Sequence, residues 1–224
     1  MKPAATPQPQ DRRTPAPAGR GLAPAVWAVL LACCLPELLL QAADHGWIGS
    51  ARWRPLAYQY GAFWAGLLHG WRPNFAAQPA TMFLSYGFLH SGLGHLVGNV
   101  AALLGLGPMV IERFGTRGFV LVWLGALLGG GAGFGLLSGS PAPMVGASGA
   151  LFGLLGAWIW GLAADRRAAG RSLWPVAGLV AGLALLNLVM WVFLDGLLAW
   201  ETHLGGFLAG AAIGALLPRA RAGR

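Results

Sequence analysis

Six apolar runs, divided by short clusters of arginine and glycine, constrain this chain more than anything else in it. They cover residues 23–43, 89–111, 119–137, 148–164, 173–194 and 203–217. Most approach the ~20 residues that a helix needs to cross the hydrocarbon core of a bilayer. The fourth and sixth are shorter and read as recessed. Within lipid every backbone N–H and C=O must be satisfied internally, which leaves helices for runs of this length. The fold class is therefore all-α and polytopic, a bundle of six transmembrane helices. Composition agrees: 10% of residues are charged, where a soluble domain carries about 25%. Abundant glycine and tryptophan suit closely packed membrane helices with interfacial belts.

The basic residues set the orientation. Lys2, Arg12, Arg13 and Arg20 precede the first run, and Arg113 and Arg117 separate the second from the third. Arg166, Arg167 and Arg171 separate the fourth from the fifth, and Arg219, Arg221 and Arg224 follow the last. Six spans put all of these on one side, with Arg52, Arg54 and Arg72 on the other. The positive-inside rule then places both termini in the cytoplasm of a multi-pass cell-membrane protein. The net charge of +8 is spread over these clusters and forms no single patch, so nucleic acid is not an expected partner. Cys33 and Cys34 are adjacent within the first run and are not expected to bridge each other.

Residues 1–22 are rich in Pro, Ala, Gln and Arg and read as a disordered cytoplasmic tail. The membrane domain is expected over 23–217, followed by a short basic tail over 218–224. The run at 23–43 is longer than the apolar part of a signal peptide, so a retained span is expected. Between it and the second run, Leu56, Tyr60, Phe63, Trp64, Leu67, Leu68 and Trp71 recur at helical spacing among weakly apolar neighbours. This predicts a helix lying in the interface, the alternative being a seventh span.

Polar side chains inside such runs are costly and mark functional sites. Ser148 opens the fourth run after Pro141, Pro143 and Gly146, at a helix start with free N–H groups and a positive dipole end. His203 opens the sixth, and His95 and Asn99 share one face of the second, four residues apart. On the six-span topology all four fall near the outer face. Gly206, Gly210 and Gly214 form a stripe after His203, and Gly149 and Gly153 form one after Ser148. Two such stripes permit close backbone approach and would bring the hydroxyl within reach of the imidazole, as an activated serine nucleophile requires. Asn99, His95 and the Ser148 N–H could then serve as oxyanion donors. Taken singly, Ser148 also fits packing, His95 an interhelical hydrogen bond and Asn99 helix glue. His90 and His95 are five apart, off one helix face, and no thiolate or carboxylate joins them at ligand spacing, so no metal is expected. Asp195 and Glu201 read as loop residues near the outer surface, which leaves a Ser–His dyad without an acidic third member.

The motifs His90-x4-His95-x3-Asn99, Gly146-Ala-Ser148-Gly149 and His203-x2-Gly206-x3-Gly210 together resemble the rhomboid family of intramembrane serine proteases, over about residues 81–217. The resemblance implies a six-helix rhomboid-like bundle with an interfacial first loop and, with the compactness of the chain, a bacterial inner membrane as its expected location. Ser148 would be the nucleophile, His203 the base, and His95 and Asn99 the oxyanion-stabilising pair, with no cofactor. It also implies transmembrane protein substrates cut within or beside the bilayer, and a gate and cap formed by the fifth run and residues 195–202. Phe152 stands where many members have tyrosine, and its ring can still stack on His203. The family's Glu-x-Arg signature is compressed to Glu112-Arg113, and Trp71-Arg72 would supply its first-loop Trp-Arg pair. The alternative is a non-catalytic rhomboid-like binder of membrane helices. A transporter would show inverted repeats, and no such symmetry is present.

Overall fold

The computed structural model describes residues 21–218. The two expected tails therefore lie outside the described residues, apart from positions 21, 22 and 218. Seven α-helices are described: α1 (Pro24–Asp44), α2 (Trp53–Gly61), α3 (Gln78–Ser85), α4 (Leu93–Leu137), α5 (Ser148–Ala168), α6 (Trp174–Phe193) and α7 (Trp200–Leu216). Of these, α1, α4, α5 and α6 are long and apolar enough to cross a membrane, and the 17-residue α7 is only slightly shorter.

The 45 residues of α4 would reach about 68 Å as a straight helix, some twice the hydrocarbon thickness of about 30 Å. Gly115 breaks it, with φ 73° and ψ 172°, a conformation open to glycine and strained for other residues. The glycine contacts give the direction of each arm. Before the break, Gly107 packs on Val26 of α1, and Gly92, just ahead of α4, lies near Gln41. This first arm thus runs antiparallel to α1. Beyond the break, Gly118 faces Leu217, Gly125 faces Ile213 and Gly129 faces Gly205. The second arm therefore runs antiparallel to α7, and α4 is a helical hairpin folded at Gly115. The connection expected over residues 112–118 shrinks to that single break, and the second apolar run becomes helical at Leu93 rather than at residue 89. Arg113 closes the corner through an ion pair with Asp165 of α5 at 2.5 Å.

The first connection departs from the interfacial helix expected for it. It is broken into α2, a 3-10 turn at Ala65–Leu68 and α3. The chain leaves α2 at Ala62 in an extended conformation, so that Phe63 exchanges two backbone hydrogen bonds of 2.9 Å with Met144. The Phe63 ring is fully buried and meets Phe83, Tyr86 and Phe134 edge to face. Burial of this ring outweighs the local 3.6-residue spacing. Trp71 covers Gly66 and Arg72 is exposed, so this pair does not tie the connection to the bundle.

Arg54 does that instead. Its guanidinium forms a bidentate pair with Glu37 of α1, 2.9 Å to each oxygen. It also binds Asp44 at 2.6 Å and the carbonyl of His90 at 3.0 Å. The hydrogen bond to Glu37 holds the Arg54 pKa above its ordinary value. Glu37 is fully buried, so Arg54→Ala would strand a carboxylate in an apolar helix interface. A stability loss of about 3–5 kcal/mol is expected, read as a lowered unfolding midpoint in detergent, with Arg54→Lys intermediate because it cannot bind in the same bidentate way.

Candidate active site

Ser148 is the first residue of α5, where backbone N–H groups have no partner within the helix. The loop before it is held firmly: Met144 pairs with Phe63, and the Gly146 N–H donates to the Tyr86 carbonyl at 3.0 Å. Tyr86 is itself buried, its hydroxyl donating to the Leu127 carbonyl at 2.9 Å. Gly146 has φ 126°, and a Cβ there would lie 2.5 Å from Cε1 of His95. Glycine at this position thus serves both the turn and the seating of the His95 ring.

His203 lies in the first turn of α7, which begins at Trp200 rather than at His203. A Cβ on Gly206 would strike the Gly149 carbonyl oxygen, and one on Gly210 would strike that of Gly153. Gly214 faces Ala157 in the same register, so α5 and α7 run parallel, backbone against backbone. This contact sets the site: His203 Nε2 lies 2.8 Å from Ser148 Oγ. The Phe152 ring, one turn along α5, stacks on the imidazole at 4.2 Å between centroids and 8° between planes. His203 is buried.

His95 and Asn99 stand on the first arm of α4. His95 is half-buried, and its Nδ1 meets Ser91 Oγ at 3.0 Å. The Ser91 N–H also points at Nδ1, at 3.5 Å. A nitrogen that accepts from an N–H carries a lone pair, which leaves the proton on Nε2, the atom beside Gly146. Asn99 is buried and shares the lining of a small cavity with Ala147, the residue before Ser148. Its amide already donates to the His95 carbonyl at 3.0 Å, so one of its two N–H groups is engaged within α4. His90 is fully buried, edge-on to His95 at 5.2 Å, and among the described residues neither of its ring nitrogens has a hydrogen-bond partner.

Two residues differ from expectation. Glu201 is not in a loop: it belongs to the first turn of α7 and is buried. The imidazole also has a further partner that sequence reasoning missed. Asn187 of α6 places Oδ1 2.6 Å from His203 Nδ1. The available signal was a single amide within an otherwise apolar span, with nothing to show which helix it would face.

No residue of α6 is buried. Between α6, α7 and Phe152 lies a cavity of about 640 Å³. Val180, Leu183, Leu188, Trp191, Leu204 and Phe207 give it apolar walls, and the polar side chains that reach it are Asn187 and His203.

Residues 77–220 match the Rhomboid domain family. The chain is similar to Rhomboid protease GluP of Bacillus subtilis (strain 168), with 34% identity over 140 residues, 60% of this chain and 26% of that protein. It is also similar to RHOMBOID-like protein 2 of Arabidopsis thaliana, with 31% identity over 179 residues, 76% of this chain and 47% of that protein. The matched region thus spans about a quarter to a half of these curated relatives.

Proposed function

The chain belongs to the rhomboid family, and we propose that it is an intramembrane serine endopeptidase in which Ser148 is the nucleophile and His203 the general base. The observation that carries this reading is the 2.8 Å contact between Ser148 Oγ and His203 Nε2, on helices that begin at the same end of the bundle. In the first step the Ser148 hydroxyl attacks a scissile carbonyl while Nε2 takes its proton. The carbonyl electrons move onto oxygen, and donors preorganised at that point lower the barrier. The Ser148 N–H, the His95 Nε2–H and the unengaged Asn99 N–H are assigned that task. The intermediate collapses as Nε2–H protonates the leaving amine. Water then hydrolyses the acyl ester, with His203 again as base.

We assign six membrane-crossing segments, to α1, the two arms of α4, α5, α6 and α7. Arg113, Asp165 and Leu217 lie at the end of the bundle away from Ser148. The positive-inside rule puts that end in the cytoplasm and the serine near the outer face. Substrate is a transmembrane or juxtamembrane segment that enters sideways and unwinds, since helical peptide bonds are shielded. Purified protein in liposomes should cut a single-span substrate at one bond within or beside its apolar stretch; a panel of such substrates left intact would count against protease activity. Asn99→Ala should lower kcat by about 10²-fold with little change in KM, because its donor acts on charge that develops after binding. Steady-state kinetics on the same substrate would check this.

A further inference from the structure

A buried base must present the correct nitrogen to its nucleophile, and stacking alone cannot ensure that. The Phe152 ring fixes the plane of the His203 imidazole, but a half-turn of the imidazole about its Cβ–Cγ bond keeps the same plane. That flip would carry Nε2 away from Ser148. Something in the plane must distinguish the two orientations, and Asn187 is placed to do so.

Its amide is held by two opposite demands. Nδ2 donates to the Leu183 carbonyl, one turn back on α6, at 2.9 Å. A carbonyl can only accept, so the nitrogen side of the amide belongs there and the oxygen side must face His203. Oδ1 then lies 2.6 Å from Nδ1 and can only accept from it. The proton is thereby kept on Nδ1, and Nε2 holds the lone pair that faces the Ser148 hydroxyl at 2.8 Å. The flipped ring would offer a C–H to the amide oxygen and lose this bond. An amide on a helix with no buried residue has a clear cost in lipid, and both of its functional groups are used by this arrangement.

We infer that Asn187 is the positioning residue of the site, a third member supplied by α6 that fixes the tautomer and rotation of His203. This rests on the protease reading above and extends it. The experiment compares wild type, Asn187→Leu, Asn187→Asp and Ser148→Ala in detergent. The readouts are kcat and KM on a transmembrane substrate and the labelling rate by a small fluorophosphonate. Leucine keeps the size but removes the acceptor. It should lower kcat by about 10²-fold, leave KM within a few-fold, and slow labelling in parallel. Aspartate should recover most of the lost rate. Ionised, it accepts from Nδ1; protonated, it donates its O–H to Leu183 and still accepts from Nδ1. Asn187→Ala replaces the leucine variant should that fail to fold, with the same expectation. Wild-type kcat and labelling in the leucine variant would overturn the inference, as would a loss confined to KM or an aspartate variant as slow as leucine. Cleavage persisting in Ser148→Ala would instead overturn the protease reading itself, so the two failures are distinct.

Discussion

Cleavage of a membrane substrate should fall by on the order of 10³-fold or more in Ser148→Ala. The substitution removes one oxygen atom, whose hydrogen bond is to His203 Nε2. Loss of one such bond costs about 1 kcal/mol of stability, so the variant should remain folded with a nearly unchanged unfolding midpoint. The helix start does not depend on the hydroxyl, because no side chain caps α5. A folded protein that has lost activity separates chemistry from architecture. Gel-based cleavage of a single-span substrate, alongside thermal unfolding of both proteins, measures the two together. Undiminished cleavage by the alanine variant would remove Ser148 from the mechanism.

The second large effect is expected from Gly206→Val. Most substitutions on a helix surface meet side chains that can move aside, but a Cβ here meets the backbone of α5 at Gly149. The helix must shift or tilt, and overpacking of this kind costs about 1–3 kcal/mol. The functional loss should be larger than the stability loss. His203 lies one turn before Gly206, and a displacement of about 1 Å is enough to cost about 10²-fold in rate. Gly94→Ala and Gly178→Ala serve as controls, since a Cβ at either position meets nothing within 4 Å. Both should retain wild-type cleavage. Equal activity in Gly206→Val and the controls would show that the close approach of α5 and α7 does not set the site.

Much of this arrangement was legible in the sequence, for identifiable reasons. The long apolar helices were readable because lipid forbids alternatives to helix for runs of that kind. The meeting of Ser148 with His203 was readable because glycine every fourth residue marks where two backbones can touch. Both stripes follow directly after the two side chains, at Gly149 and Gly206. The rest depended on contacts between distant segments. Phe63 carries the periodicity of a helix and yet leaves it, because a buried site among Phe83, Tyr86 and Phe134 is worth more than another turn. Arg54, not Arg72, anchors the first connection, since only its position meets Glu37 one helix away. Glu201 looked like a loop residue because the first turn of α7 precedes its glycine stripe. Asn187 was invisible as a partner: α6 is apolar on every side, so no face could be assigned from its sequence.

The central claim is that Ser148 is made nucleophilic by His203. It is tested most directly by treating the purified protein with a fluorophosphonate and mapping the adduct by peptide mass spectrometry. The account predicts one phosphonylated residue, Ser148, with no adduct at that position in His203→Ala. An adduct on another serine, or equal labelling of Ser148 without the imidazole, would contradict it.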